Sequence, residues 1–206
     1  MALELKTIGV IGAGQMGSGI AHVCALAGYD VLLHDVSAER IQAGLATING
    51  TMSRQVNKGH ITEEAKRTAI ARIVGAENLD GLGEADLVIE SATENEQVKR
   101  KIFSQLCPLL KPEALLATNT SSISITRLAA ATDRPERFIG IHFMNPVPVM
   151  ELIELVRGIA TEDATFDAAK QFCARVGKTI AVAEDFPGFM VNRILLPMIN
   201  EAIYTL

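Results

Sequence analysis

The stretch TIGVIGAGQMG, Thr7 to Gly17, decides how the chain folds. A short β-branched run, Thr7–Ile11, enters a turn built on Gly12, Gly14 and Gly17. Met16, Ile20, Val23 and Ala27 then recur at helical spacing until Gly28 stops the helix. The G-x-G-x-x-G spacing alone is a weak signal. Between a strand and a helix it is strong, because each glycine then has a task. Gly12 permits the tight turn, Gly14 lets the backbone approach a pyrophosphate, and Gly17 lets helix and strand pack closely. Gln15 and Met16 open the helix, and a pyrophosphate is best held at that N-terminus. About twenty positions on, Asp35 closes the next strand, Val31–His34, where it can accept hydrogen bonds from an adenosine ribose. Its charge repels a 2′-phosphate, so NAD is expected rather than NADP. Arg40 could accommodate that phosphate, although a helix-face ion pair is the more natural use of it.

Working outward, strands and helices alternate. Ser37 reads as the cap of a polar helix over about 38–58, and Thr62 with Glu63 and Glu64 starts another. Ile73–Ala76 and Asp86–Glu90 read as strands, Asn95–Leu110 as a helix stopped by Pro112, and Leu115–Thr118 and Phe138–Phe143 as further strands. Met150–Val156 follows as a strand, Thr161–Val176 as a helix and Thr179–Ala183 as a strand, and a last helix begins near Gly188. This alternation predicts an α/β fold: a doubly wound, Rossmann-type, mainly parallel sheet. The closing run FMVNRILLPMINEAIYTL is apolar on more than one face and stops at Leu206. We therefore expect one domain of a longer protein.

Composition narrows the function. The 206 residues are 49% hydrophobic and carry a net charge of −5, which argues against general attraction to nucleic acid or anionic membrane. No secretory leader is legible at the start. Cys24, Cys107 and Cys173 form no CxxC pair and read as buried free thiols, which suits a reducing, cytoplasmic compartment. His22, His34 and His60 are scattered, each as expected for a core or surface histidine, and no metal site is expected.

HFMNPVPVMELIELV, His142 to Val156, holds a carboxylate, Glu154, inside an apolar run. An unpaired buried carboxylate costs several kcal/mol, roughly, so Glu154 needs a partner. If the chain folds back around Pro148, that partner is His142. A carboxylate held against imidazole orients the ring and raises its basicity, as removal of a hydroxyl proton requires. A purely structural His–Glu pair is the alternative. Two polar loops follow expected sheet ends. Asn119-Thr120-Ser121-Ser122 is placed to orient a carbonyl or hydroxyl, or simply to cap a helix near Ser124. Glu90-Ser91-Ala92-Thr93-Glu94, with Lys99 in the next helix, reads equally well as a ligand loop or a solvated helix start.

Taken together, GVIGAGQMGSGIAHVCALAGYDV, ATENEQVKRKIF, NTSSISIT, HFMNPVPVMELIELV and PGFMVNRIL resemble the 3-hydroxyacyl-CoA dehydrogenases, and among them the short-chain 3-hydroxybutyryl-CoA enzymes. The resemblance implies His142 as catalytic base, Glu154 as its orienting partner, Ser121 on the substrate oxygen at C3, and Asn192 contacting substrate or holding the His–Ser arrangement. It implies Asn145 near the nicotinamide ribose and Glu94, Lys99 and Asn119 lining the cofactor site. It puts coenzyme A on Thr51 and Lys58, with Ser53 and Arg54 nearby; a serine is common where Thr51 stands. It also implies a homodimer or higher homo-oligomer, an NAD-binding domain over residues 1–186, and the start of an all-helical C-terminal domain over 187–206. Two rival readings are a cofactor-binding module of little turnover that self-associates through Met190–Leu206, and a dehydrogenase acting on a free hydroxy acid.

Overall fold

The computed structural model describes residues 4–206. One eight-stranded sheet runs in the order β3-β2-β1-β4-β5-β6-β7-β8. Its strands are β1 (Thr7–Ile11), β2 (Asp30–His34), β3 (Ile73–Ala76), β4 (Leu87–Glu90), β5 (Leu115–Thr118), β6 (Phe138–Phe143), β7 (Leu152–Arg157) and β8 (Thr179–Glu184). The helices are α1 (Gln15–Leu26), α2 (Ala38–Asn57), α3 (Glu63–Ala71), α4 (Glu96–Leu106), α5 (Ile125–Ala129), α6 (Asp163–Arg175) and α7 (Val191–Thr205). Every strand pair is parallel except β6 with β7, where the chain folds back on itself.

The central strands β1, β4, β5, β6 and β7 are buried on both faces and read as largely apolar runs, while the edge strands β3 and β8 are partly exposed. One core gathers α1, α2 and α6 residues against β1 and β2, including Ile20, Ile48, Met52 and Phe172. The other gathers α4 and α5 residues, including Phe103 and Leu128, where Phe103 packs edge-on to Phe138 at 5.0 Å. Each fully buried side chain of this size contributes about 1.5–3 kcal/mol. Helix α2 shows why its pattern is amphipathic: only Ile41, Gly44, Ile48 and Met52 are buried, one stripe at 3–4 spacing. Ser37, Thr62, Asn95 and Ser124 cap α2, α3, α4 and α5 through their side chains.

Several boundaries differ from the sequence reading by a few residues, and four of them have a local reason. The Asn95–Leu110 helix ends at Leu106, and Cys107–Leu109 continue as a 3₁₀ turn around Pro108. The strand expected from Met150 starts at Leu152, because the amides of Val149 and Met150 both donate to the Pro146 carbonyl, 3.0 Å away, and close a turn. The last helix starts at Val191 rather than near Gly188, because Gly188 and Phe189 take φ of 80° and 47°. Asp86, expected in its strand, lies just before it and accepts from the amides of Lys6 (2.7 Å) and Thr7 (2.8 Å) and from Lys111 Nζ (2.6 Å). Burial opposes its charge, but these donors outweigh that and hold the carboxyl below its ordinary range.

The three cysteines are free and buried. Burial pushes the Cys173 thiol up to about 12 and the Cys24 thiol higher still. Among the described residues, no helix is long and apolar enough to cross a membrane. Helix α7 buries none of its residues; Ile194, Leu196 and Ile203 are all more than half exposed.

Candidate active site

The sheet order reverses between β1 and β4, and ligands of such sheets bind in the crevice beyond the strand ends at that point. The glycine turn lies there. Gly12, at φ 99°, has Ser91 backbone so close that an added Cβ would sit 2.7 Å from the Ser91 oxygen. A Cβ on Gly17 would overlap the Gly12 carbonyl. Around Gly14 a Cβ would meet nothing within 4 Å, so that turn is open to a ligand. Helix α1 has no acidic residue in its first turn and no side-chain cap, which leaves its first amides free to receive an anion. Asp35 accepts from the Ala13 amide (2.7 Å) and the Val36 amide (2.7 Å), and Arg40 Nε stands 4.0 Å from it. Asp35 therefore fixes the turn as well as ending β2, and Arg40 is an ion-pair partner.

The resulting cleft of about 330 Å³ is lined by Gly14, Gln15, Met16, Ser91–Glu94, Lys99, Asn119 and Ser121. Ser91 Oγ, shielded from solvent, is the buried side-chain polar atom without a partner among the described residues. An open turn, bare helix amides, a terminal carboxylate and an orphaned hydroxyl are together what a dinucleotide fits. Beneath the cleft Lys99 is 1% exposed and pairs with Glu90, which is fully buried. Glu90 also accepts from Thr118 Oγ1 and the Ala92 amide, both at 2.8 Å. The residue that ends β4 is thus an internal strut, not part of a solvated helix start. The sequence reading placed Glu90 in a ligand loop or a solvated helix start; the only signal of its internal role was an acidic residue ending an apolar strand.

His142 and Glu154 face each other as register partners of β6 and β7. Glu154 Oε2 lies 2.7 Å from His142 Nδ1, while its Oε1 accepts from the amides of Met190 and Val191, both at 2.8 Å. A carboxylate accepts only, so Nδ1 carries the ring proton and Nε2 presents its lone pair. Nε2 lies 2.9 Å from Ser121 Oγ. Asn192 Nδ2 donates to the Ser121 carbonyl at 3.3 Å, and the Phe189 ring stands edge-on to His142 at 6.0 Å. Glu94 holds the serine loop: its Oε1 accepts from Thr120 Oγ1 (2.6 Å), the Ser121 amide (2.8 Å), and the Ser122 amide (3.0 Å) and hydroxyl (2.9 Å). Asn119 Oδ1 accepts from the Phe143 amide at 2.8 Å, tying that loop to the end of β6.

A second cleft of about 340 Å³ opens between α1, α2 and the loop after β6, and shares Gln15 with the first. Thr51, Arg54 and Asn145 line it. Arg54 donates to Thr51 Oγ1 at 3.0 Å. Lys58, at the exposed C-cap of α2, is not among the lining residues. His22, which also lines this cleft, bonds Gln55 at 2.9 Å, and burial holds its ring below the ordinary histidine value. Among the described residues no metal-binding cluster of His, Cys, Asp and Glu occurs.

The model of the family described as 3-hydroxyacyl-CoA dehydrogenase, NAD binding domain, matches residues 7–186. The chain belongs to the 3-hydroxyacyl-CoA dehydrogenase family. A 3-hydroxybutyryl-CoA dehydrogenase of Bradyrhizobium diazoefficiens is 71% identical over all 206 residues, which span 70% of that protein. A 3-hydroxyadipyl-CoA dehydrogenase of Escherichia coli is 41% identical over 202 residues, 98% of this chain and 42% of that one. The crystal structure of (S)-3-hydroxybutyryl-CoA dehydrogenase from Ralstonia eutropha superimposes with a TM-score of 0.95 at 48% identity, covering 97% of this chain and 70% of that one. As a 3-hydroxyacyl-CoA dehydrogenase NAD-binding domain, the chain puts its glycine turn and its His–Glu pair at the same end of one sheet, toward the carboxyl ends of β1 and β6.

Proposed function

We propose that the chain oxidises a short 3-hydroxyacyl-CoA, such as 3-hydroxybutyryl-CoA, to its 3-oxoacyl-CoA and carries out the reverse reduction, with His142 and Glu154 as the acid/base pair. The observation that carries this reading is the continuous hydrogen-bond chain from Ser121 through His142 and Glu154 to the start of α7, at the edge of the cofactor cleft. NAD, held by the glycine turn, Asp35 and the cleft, supplies the hydride acceptor. The side chains manage the proton. His142 Nε2 takes it from the 3-hydroxyl during oxidation and returns it during reduction. The emerging imidazolium is stabilised by Glu154, whose Oε2 already holds Nδ1–H. Ser121 Oγ hydrogen-bonds the C3 oxygen, in a loop kept in place by Glu94 and by Asn192. The Thr51 and Arg54 side of the second cleft receives coenzyme A, with Lys58 as an outlying cation. The names of the relatives favour a thioester of coenzyme A over a free hydroxy acid.

In this reading residues 1–186 form the NAD-binding domain and 187–206 begin a helical one. The protein works in the cytoplasm as a homodimer or higher homo-oligomer, supported by its buried free thiols and by the apolar exposure of α7. The test is NADH oxidation with acetoacetyl-CoA, alongside NADH binding by fluorescence. Turnover supports the reading; NADH binding without turnover refutes it in favour of a cofactor-binding module.

A further inference from the structure

We infer that Lys178 is a positioning residue for the acyl-CoA, clamping from behind the loop that walls the second cleft. Its Nζ donates to the carbonyls of Val147 (2.6 Å) and Met150 (2.7 Å). These carbonyls belong to the turn that Val149 and Met150 close on Pro146, so one ammonium ties both halves of the turn together. Hydrogen bonds from a charged donor are about twice as strong as neutral ones. The ammonium reaches the turn because Gly177, at φ 73°, ends α6 and reverses the chain, and the Lys178 amide bonds back to Cys173 at 3.0 Å. On the other side the loop rests on α1: a Cβ on Gly19 would lie 2.8 Å from Val147 Cβ. The loop is thus held between a helix and a cation, and its Asn145–Val149 face forms one wall of the cleft.

The consequence falls on one kinetic constant. His142 and Glu154 are fixed by the β6–β7 ladder and by the start of α7, and neither depends on Lys178. Loosening the loop therefore widens the cleft and leaves the dyad in place, so substrate affinity suffers while turnover at saturation holds. The inference rests on the reading that this cleft receives acyl-CoA.

The test uses Lys178→Met, which keeps the stem and removes the donors, and Lys178→Arg, which keeps donors and charge. For Lys178→Met we expect KM for acetoacetyl-CoA to rise about tenfold or more, with kcat and the NADH Kd within about twofold, and Lys178→Arg to recover most of the loss. KM within about twofold of wild type in Lys178→Met overturns the inference, and so does a parallel fall in kcat or NADH affinity. Should circular dichroism find Lys178→Met unfolded, Lys178→Gln decides by the same criteria. A wild-type chain without turnover of acetoacetyl-CoA refutes the reading of the cleft and the inference with it; an active wild type beside an unaffected Lys178→Met refutes the inference alone.

Discussion

Replacing Glu154 by Gln tests whether the His–Glu pair is chemical or merely structural. The carboxylate is fully buried and receives three donors: His142 Nδ1–H on Oε2, and the Met190 and Val191 amides on Oε1. Glutamine has one acceptor oxygen. If that oxygen stays with the two amides, its NH₂ faces His142 Nδ1, which must then become the acceptor. The ring proton moves to Nε2, and the lone pair that faced Ser121 Oγ at 2.9 Å is lost. General-base assistance contributes about 10²–10⁴-fold, so kcat should fall about 10³-fold, or about 4 kcal/mol of transition-state stabilisation. Loss of charge-assisted hydrogen bonds should also lower stability by about 1–2 kcal/mol, a few degrees in Tm. The assay is acetoacetyl-CoA reduction followed by NADH absorbance, with NADH binding measured on the same sample. The cofactor cleft is built from other elements, so NADH affinity should hold within about threefold. A kcat within about threefold of wild type, with the variant folded, refutes the acid/base role.

Gly17→Ala should abolish NADH binding and destabilise the fold by more than about 3 kcal/mol, because the new Cβ would meet the Gly12 carbonyl and neither backbone segment can rotate away; thermal melting and NADH titration check this. Arg54→Ala should raise KM for acetoacetyl-CoA more than Lys58→Ala, because Arg54 lines the second cleft and Lys58 does not, and parallel saturation curves decide the order. Asp86 is held below its ordinary 3.8 in the folded chain, so its contribution is complete above pH 3.8 and is lost as pH falls through the lower folded value. Asp86→Asn should therefore flatten the acid limb of a urea-unfolding series below about pH 4 and lower stability at neutral pH.

The sheet was legible because its information is local. Apolar runs bounded by glycine and by capping residues mark each strand and helix, and Ser37, Thr62 and Asn95 carry the helix starts in their own side chains. The His142–Glu154 pairing was legible for the same reason, since a short turn and strand alternation bring the two together. What escaped lies in contacts between distant segments. Glu94 reads as a cofactor-lining residue from the family resemblance, yet it also gathers the 120–122 loop. Lys178 looks like any exposed lysine after a helix, because no local period reports the carbonyls it reaches. Lys58 shows the reverse: the resemblance singles it out, and the geometry leaves it beyond the cleft that Thr51 and Arg54 line.

The division of Glu154 between two clients has a consequence for the order of construction. During synthesis the glycine turn, Asp35 and the strands β6 and β7 that bear His142 and Glu154 leave the ribosome well before Met190 and Val191. Until those two amides arrive, one oxygen of a fully buried carboxylate is without its donors. A nascent or proteolysed chain ending before Met190 keeps the residues of the glycine turn yet lacks two of the three donors to Glu154. The hydrogen bonding of the His142–Glu154 pair is thus completed late, by the first turn of the helix that follows the sheet.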